Sequence, residues 1–455
     1  MSALGGPKPE VTGAPRKTPS GLAVRQRAVD VLAEVLLQKR PLDSALESYP
    51  GKTTDVPEHS GDAGLARLIV ATTLRRLGQI DAVVAKFLAK PLSPDAARIR
   101  LILAAATAQL LFLGTPAHAA IDIAVSQCRQ EPGLARFGGL VNAVLRKVAI
   151  EGVAALAEQD VDRLNTPDWL LQRWTKTYGK ETTRQITNAH LTEAALDLSV
   201  LGDPAEWAGR LGGVVLPTGS VRIRSKGRIE ALDGFAEGEW WVQDAAAAIP
   251  ARLLGDVAGK RVADLCAAPG GKTAMLAAMG AQVTALDTSA RRLKILQANL
   301  DRLKLHAEVV TADATTWVPP ELFDAVLLDA PCLATGTIRR HPDLPYLKRP
   351  SDLKSLAELQ ARLLESAARL LKPGGTLVYC TCSLEPEEGP EPIAQLLARR
   401  PELTVSPITS GVYGLSPDWL TVEGFLRTLP FHLPMQPAEL SGLDGFFAAR
   451  LMKKG

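Results

Sequence analysis

The sequence predicts a multidomain chain with an all-α domain, a small α+β module and a doubly wound α/β domain. Three observations support this fold class. A chain of 455 residues is too long for one ordinary hydrophobic core. Apolar residues recur at helical spacing in the first third of the chain. Strand-like and helical segments alternate in its second half, which is typical of a parallel sheet.

The N-terminal part is predicted to be helical from residue 21 to residue 151. Apolar residues recur every three or four positions in VRQRAVDVLAEVLLQ, ARLIVATTLRRLGQIDAVVAKFL and ARIRLILAAATAQLLFL, as on one face of an α-helix. This spacing, without strand-like alternation, predicts about six helices. Residues 1–20 lack the apolar core of a signal peptide, so we expect a disordered tail there.

Residues 160–242 are predicted to form the small α+β module. Short β-rich segments, separated by glycine and proline, follow a helical start. Basic residues alternate in SVRIRSKGR, and a strand would place them on one face: Arg222, Arg224, Lys226 and Arg228. Two interpretations stay open, namely a solvated edge strand whose charges block aggregation and a surface that contacts a phosphate backbone.

Residues 243–453 are predicted to form the α/β domain. Apolar strands are expected in RVADLCA, QVTALD, AEVVTAD, FDAVLLDA and GTLVYCT, with helical segments between them. Such strands belong to a parallel sheet that is covered on both faces, and right-handed crossovers make it doubly wound. The proline-rich segment 405–441 is predicted only as late strands and a loop.

A glycine-containing loop after the first of these strands predicts a cofactor site. Gly270 and Gly271 allow close backbone approach, and the following helix offers its N-terminal amides. The loop is not a P-loop, because Cys266 stands where the first glycine would fall, and it does not match G-x-G-x-x-G. Acids end the successive strands, and an acid after the second strand can accept hydrogen bonds from ribose hydroxyls: Asp264, Asp287, Asp313 and Asp329. We therefore expect a nucleoside cofactor.

Two of the five cysteines end predicted strands, where open α/β sheets place their chemistry. Cys332 and Cys382 therefore suggest covalent catalysis by a thiolate. Cys380 lies two residues before Cys382, and the spacing alone does not choose between them. No Cys-x-x-Cys pair is present, so we expect no metal site.

Several motifs resemble those of cytosine carbon-5 RNA methyltransferases of the Sun/Fmu type: CAAPGGKT, DAPCLATGTIRRHPD, YCTCSLEPEE and GFFAARL. The segments AIDIAVSQCR and GGLVNAVLRK resemble the NusB-like RNA-binding domain of those enzymes. The resemblance implies S-adenosylmethionine as cofactor, with Asp287 on its ribose, Asp313 near its adenine and Asp329 lining the methyl-transfer site. The cofactor loop implied is Cys266, Ala267, Ala268, Pro269, Gly270, Gly271 and Lys272.

The same resemblance implies unequal roles for the two cysteines. Cys382 would be the nucleophile, Cys332 would assist release of the product, and Asp329 would bind the cytosine edge. We expect Lys272 to favour the thiolate or to order the site, and Arg339 and Arg340 to contact RNA phosphates.

The expected function is the formation of 5-methylcytosine in small-subunit (16S) ribosomal RNA. Transfer RNA is the alternative substrate, and a non-catalytic RNA-binding assembly factor is the alternative class. A net charge of +3 permits a nucleic-acid partner without requiring one. No apolar run reaches about 18 residues, so we expect no membrane span. We also expect a cytoplasmic location and a monomer.

Overall fold

The computed structural model describes residues 21–47, 60–224 and 227–455. The predicted tail at 1–20 and Lys226 lie outside the described residues. Contacts between residues divide the chain into two compact units. The described parts of the first unit are 21–33, 60–73 and 80–157, and the second unit contains 34–47, 74–79 and the described residues from 158 to 455. The proposed small module and α/β domain therefore share one unit, and their predicted boundaries stay predictions.

The N-terminal part is helical, as predicted. Its helices are α1 (Leu22–Leu36), α2 (Leu42–Glu47), α3 (Ser60–Arg75), α4 (Leu77–Phe87), α5 (Ala97–Leu111), α6 (Ala117–Gln130) and α7 (Gly138–Ala157). Helix α5 is buried along most of its length, because its sequence is apolar on nearly every side. Its one buried amide, Gln109, donates to the Ala105 carbonyl and accepts from Arg25 Nε at 2.7 Å.

The α+β module lies in the second unit. Its elements are α8 (Val161–Asn165), α9 (Asp168–Tyr178), α10 (Lys180–His190), β1 (Leu196–Val200), α11 (Pro204–Leu211), β2 (Val214–Val215), β3 (Val221–Ile223) and β4 (Trp240–Val242). The strands form an antiparallel sheet in the order β2-β3-β1-β4. Leu198, Val221 and Trp240 pack against Trp207 of α11.

The position of β3 corrects the edge-strand interpretation of the basic segment. Strand β3 lies between β2 and β1 and ends at Ile223. An interior strand has neighbours on both sides, so it does not need charges to block edge-to-edge aggregation. Arg222 is the only basic residue of the predicted row that lies within β3 among the described residues.

The α/β domain completes the second unit. Its elements are α12 (Ala245–Arg252), β5 (Arg261–Leu265), α13 (Gly271–Ala278), β6 (Gln282–Asp287), α14 (Ala290–Leu303), β7 (Glu308–Thr311), β8 (Phe323–Asp329), α15 (Leu344–Leu347), α16 (Pro350–Leu370), β9 (Leu371–Thr381), α17 (Pro390–Arg399), β10 (Leu403–Val405), β11 (Leu426–Thr428) and β12 (Phe446–Lys453).

The sheet of this domain is doubly wound, as predicted. Its order is β10-β12-β9-β8-β5-β6-β7, and β11 also pairs with β12. Strands β5 to β9 are parallel, whereas β12 runs antiparallel to β9. The winding reverses between β5 and β8, so the loops after these strands flank a crevice where open sheets bind ligands.

Helices cover both faces of this sheet, because each strand alternates apolar side chains between two cores. Val262 and Leu327 face a core with Ile249 and Leu276. Leu265 faces the other core, which Leu363 and Leu364 of α16 complete. Within the described part of the chain, no helix is both long and apolar enough to cross a membrane.

Candidate active site

The loop after β5 is shaped by two residues with left-handed backbone. Cys266 has φ +62° and Gly270 has φ +104°. A Cβ atom at Gly270 would lie 2.7 Å from Leu296 Cγ, so this position needs glycine for space as well as for conformation. The Gly270 carbonyl accepts from the Ala274 amide at 2.8 Å, which starts α13 directly after the loop.

A cavity of about 150 Å³ opens beside this loop, at the carboxyl ends of β5, β6 and β7. Cys266, Asp287 and Asp313 contribute to its lining. Asp287 accepts from the Ser289 amide at 2.9 Å and the Ala268 amide at 3.3 Å, which ties the acid after β6 to the glycine-containing loop. Asp313 is exposed, and hydrogen bonds from Thr315 lower the pKa of its carboxyl. Two carboxylates on one cavity suit the hydroxyl and amino donors of a nucleoside.

Asp264 lies behind the loop and is wholly buried. Its Oδ2 accepts from the Thr273 hydroxyl at 2.6 Å, whereas its Oδ1 has no hydrogen-bond partner among the described residues. Burial raises the pKa of Asp264 to about 7, because an apolar surrounding disfavours the charged form.

Asp329, at the end of β8, joins Lys272 and Cys380. Lys272 Nζ donates to Asp329 Oδ2 at 2.8 Å, and the Cys380 thiol lies 3.5 Å from Asp329 Oδ1. Burial alone would lower the pKa of Lys272, but the Asp329 charge, with Cys380 and Cys382 near it, raises that pKa above its usual value. We call Asp264, Lys272, Asp329 and Cys380 the strand-end cluster.

Cys332 and Cys382 lie side by side, with 3.6 Å between their Sγ atoms. Both residues are partly exposed. The Gly336 amide donates to the Cys382 carbonyl at 2.9 Å, which connects the loop after β8 to the residue that follows β9. Cys380, in contrast, is fully buried, and burial followed by the Asp329 charge raises the pKa of its thiol. Of the two thiols at the end of β9, only Cys382 reaches the surface.

Arg222 and Arg339 do not lie where an RNA phosphate could reach them, and this corrects the sequence prediction. Arg222 is 1% exposed, and it donates to both Asp197 oxygens at 2.6 and 2.7 Å and to two backbone carbonyls. Arg339 is 2% exposed and donates to backbone carbonyls in 430–443. Both guanidinium groups are therefore inside the fold and bond other parts of the chain.

Arg340 is largely occupied by internal partners too. It donates to Asp244 at 2.5 Å, to Asp444 at 3.0 Å and to the Ala195 carbonyl. We call this group the arginine cluster: Arg222, Arg339, Arg340, Asp197, Asp244 and Asp444. Arg224 and Arg228 are exposed, and their predicted RNA contact stays a prediction.

Sequence reasoning missed two residues that hold the backbone around Cys332. Gln360 and Glu388 are both fully buried and bond the residues on either side of Cys332. A signal for Gln360 was present, since it is a polar residue on the apolar face of α16 with Leu353 and Leu364. Glu388 lies within the motif YCTCSLEPEE, but two adjacent glutamates normally indicate a solvated surface.

This fold and site define a class of protein: a methyltransferase with a doubly wound catalytic domain and a helical N-terminal domain. Residues 251–452 match the family model "16S rRNA methyltransferase RsmB/F", and residues 22–150 match the NusB family. The chain belongs to the RsmB/F methyltransferase family. It is 35% identical to a ribosomal RNA small subunit methyltransferase B of Klebsiella pneumoniae, over 95% of this chain and 98% of that protein.

Solved structures show the same fold. The crystal structure of the protein PH0851 covers 94% of this chain and 99% of its own, with 25% identity and a TM-score of 0.71. A methyltransferase homologue from Pyrococcus horikoshii covers 64% of this chain and 96% of its own, with 28% identity and a TM-score of 0.53. The expected combination of a NusB-like helical domain and a Rossmann-like methyltransferase domain is confirmed.

Proposed function

We propose that this protein is an S-adenosylmethionine-dependent RNA methyltransferase that forms 5-methylcytosine in 16S ribosomal RNA through a covalent cysteine–cytosine adduct. One observation carries the proposal: two partly exposed thiols lie 3.6 Å apart at the carboxyl ends of β8 and β9, beside the Lys272–Asp329 pair. Ribosomal RNA is favoured over transfer RNA because the relative from Klebsiella pneumoniae is named for the small ribosomal subunit.

The chemistry explains why a thiol is needed. Carbon 5 of cytosine is a poor nucleophile in an electron-poor ring. Addition of the Cys382 thiolate to carbon 6 forms a carbon–sulfur bond and places the displaced electron pair on carbon 5, which becomes nucleophilic. After methyl transfer, loss of the carbon 5 proton to a base restores the double bond, and the carbon–sulfur bond breaks to release Cys382 as thiolate.

The neighbours of Cys382 suit these steps. Lys272 is a buried cation whose raised pKa keeps it charged, and a nearby positive charge favours a thiolate. Asp329 is 33% exposed, so part of its carboxylate is open to the cytosine edge. Cys332 contacts the Cys382 sulfur, and this contact supports a role in the departure of Cys382.

The residues of the cavity beside β5 suit S-adenosylmethionine, which supplies an electrophilic methyl group. Asp287 would accept hydrogen bonds from the ribose hydroxyls, and Asp313 would lie near the adenine. The segment from Cys266 to Lys272 would hold the rest of the cofactor with backbone amides of the loop and of the N-terminus of α13. The target cytosine would have to leave its stack, because the thiolate must approach the ring from one face.

The decisive experiment removes one thiol at a time. Cys382→Ala should abolish methyl transfer from labelled cofactor to 16S ribosomal RNA, whereas Cys380→Ala should leave most of it, since Cys380 is buried. An active Cys382→Ala variant would exclude the assignment of the nucleophile. Bisulfite mapping of ribosomal and transfer RNA, with and without this protein, would identify the substrate, and unchanged maps would favour a non-catalytic assembly factor.

Cys332→Ala tests the second thiol. If Cys332 assists release, the variant should accumulate a protein–RNA adduct that survives denaturation and is lost in the double variant with Cys382→Ala. Normal turnover without an adduct would remove Cys332 from the mechanism. The cytoplasmic location and the monomeric state stay predictions.

A further inference from the structure

Cys332 is held by hydrogen bonds on both sides of its own peptide. Gln360 Nε2 donates to the carbonyl of Pro331, the residue before Cys332, at 2.8 Å. The amide of Leu333, the residue after Cys332, donates to both carboxylate oxygens of Glu388 at 3.0 and 3.1 Å. The same Gln360 amide also donates to Glu388 Oε1 at 3.1 Å. This hydrogen bond connects the two side chains that bond the backbone on either side of Cys332.

We call Gln360 and Glu388 the clamp, and strand β9 in turn fixes these two residues. The Tyr379 hydroxyl donates to the Glu388 carbonyl at 3.0 Å and lies 3.3 Å from Gln360 Oε1. The Thr381 hydroxyl donates to the same Glu388 carbonyl at 2.9 Å. Gln360 and Glu388 are fully buried, so water does not compete for these hydrogen bonds. The clamp therefore reaches from α16 across β9 to the loop that carries Cys332.

We propose that Gln360 and Glu388 are positioning residues that fix Cys332 beside Cys382 and make it a hydrogen-bond donor to Cys382 rather than a second nucleophile. The charges around the two sulfurs differ accordingly. The cation Lys272 is near Cys382, whereas the anion Glu388 is near Cys332. Two thiols in contact cannot both ionise easily, because like charges repel. The Glu388 charge therefore favours the neutral form of Cys332.

Most groups facing Cys332 raise the pKa of its thiol, whereas the Ala334 amide lowers it. The thiol of Cys382, burial and the Glu388 charge raise the pKa of Cys332 well above its usual value. Tyr379 is a further titratable group near Cys332, and burial raises the pKa of its hydroxyl as well. Burial raises the pKa of Glu388 and the Glu385 charge adds to this, whereas hydrogen bonds from Ser383, the Leu333 amide and Gln360 favour its charged form. Arg427 lowers the pKa of Tyr379. A neutral Cys332 thiol can donate to the departing Cys382 thiolate and so assist product release.

The role in release rests on the proposed function, but the protonation of Cys332 can be tested without it. The free protein is alkylated with iodoacetamide from pH 6 to pH 10, and each cysteine is followed by peptide mass spectrometry. In the wild-type protein, Cys382 should react before Cys332. Glu388→Gln retains an oxygen acceptor for the Leu333 amide but removes the charge. It should shift the pH midpoint of Cys332 alkylation downward and raise its rate about tenfold at pH 8.

Gln360→Leu removes the amide that donates to the Pro331 carbonyl and leaves the Glu388 carboxylate in place. It should raise Cys332 alkylation at every pH without moving the midpoint, and it keeps the proposal testable if Glu388→Gln does not fold. Glu385→Gln is the matched control, because Glu385 is equally buried in the same segment but bonds Arg173 and Trp174 instead. Tryptophan fluorescence reports the folding of each variant.

The outcomes are distinct. If Cys332 reacts identically in Glu388→Gln, Gln360→Leu and the Glu385→Gln control, the clamp does not control Cys332 and the proposal is overturned. In methylation assays, both clamp variants should lower kcat about tenfold or more, with KM for RNA unchanged, and should accumulate the Cys382 adduct. If alkylation shifts as expected but the wild-type protein methylates no RNA, the proposed function fails while the control of Cys332 stands.

Discussion

The second unit contains two clusters of buried charge, and they are satisfied to different degrees. In the arginine cluster, three arginines face three aspartates, and Arg222 alone donates four hydrogen bonds to oxygen. Asp197 accepts a further hydrogen bond from the Ala245 amide. Only Nε of Arg339 lacks a partner among the charged atoms of this cluster in the described residues.

The strand-end cluster, in contrast, keeps unused bonding capacity. One oxygen of Asp264 has no partner among the described residues, and Asp329 is a third exposed although it pairs with Lys272. A buried polar atom without a hydrogen-bond partner costs free energy. The comparison indicates that the many hydrogen bonds of the arginine cluster join elements of this fold, whereas the strand-end cluster keeps one unpartnered oxygen and a partly exposed carboxylate.

The largest expected effect comes from removing a charge from the arginine cluster. Arg222→Met leaves Asp197 buried without its cation, which typically costs about 3–5 kcal/mol of the free energy of unfolding. All seven tryptophans lie within 169–419, so urea unfolding followed by their fluorescence reports on the second unit. Adding Asp197→Asn removes the stranded charge and keeps an acceptor for Ala245, and it should recover part of the loss. No loss in Arg222→Met would contradict a structural role for this cluster.

Neutralising Asp264 of the strand-end cluster should have an effect that depends on pH and that is smaller than the effect of Arg222→Met between pH 5 and pH 8. Asp264 has a pKa of about 7 in the folded chain against 3.8 for an ordinary aspartate. Between these values the folded state binds more protons than the unfolded state. The free energy of unfolding therefore falls as pH rises through this window, by up to about 1.4 kcal/mol per pH unit, and is level above it.

Asp264→Asn does not titrate and should remove this component. Urea unfolding at pH 5, 6, 7 and 8 measures the difference between the wild-type protein and the variant, and the relative stability of the variant should rise with pH. Asp324→Asn is a suitable control, since hydrogen bonding to Lys372 lowers the pKa of that partly exposed carboxyl. Parallel pH profiles for wild-type and Asp264→Asn proteins would show that Asp264 is charged in the folded state.

The two clusters also differ in how far the sequence predicts them. The strand-end acids were predictable, because each follows its own apolar strand and the sheet brings strand ends together. The partners of Arg222 were not, since Asp197 lies 25 positions earlier and the Leu440 and Gly442 carbonyls lie more than 200 positions later. Alternating arginines look the same in the sequence whether their strand is exposed or covered.

The choice between Cys380 and Cys382 shows the same limit. Their spacing of two places both on one side of an ideal strand. Strand β9, however, ends at Thr381, so Cys382 lies beyond the pleat and reaches the surface while Cys380 stays inside. Where a strand ends depends on its neighbours, and that information is not local in the sequence.

The smallest expected effect concerns Arg224 and Arg228, the exposed neighbours of buried Arg222. Their ion pairs with Glu439 and Glu230 are long, at 3.8 and 3.7 Å, so both cations remain available to an RNA backbone. If each contacts a phosphate, neutralising both with glutamine should lower the slope of log affinity against log salt by about two. Fluorescence anisotropy with a 16S ribosomal RNA fragment measures this slope. Arg399→Gln, at an exposed position of α17, is the control. An unchanged slope would mean that the exposed arginines, like the buried one, make no contact with RNA.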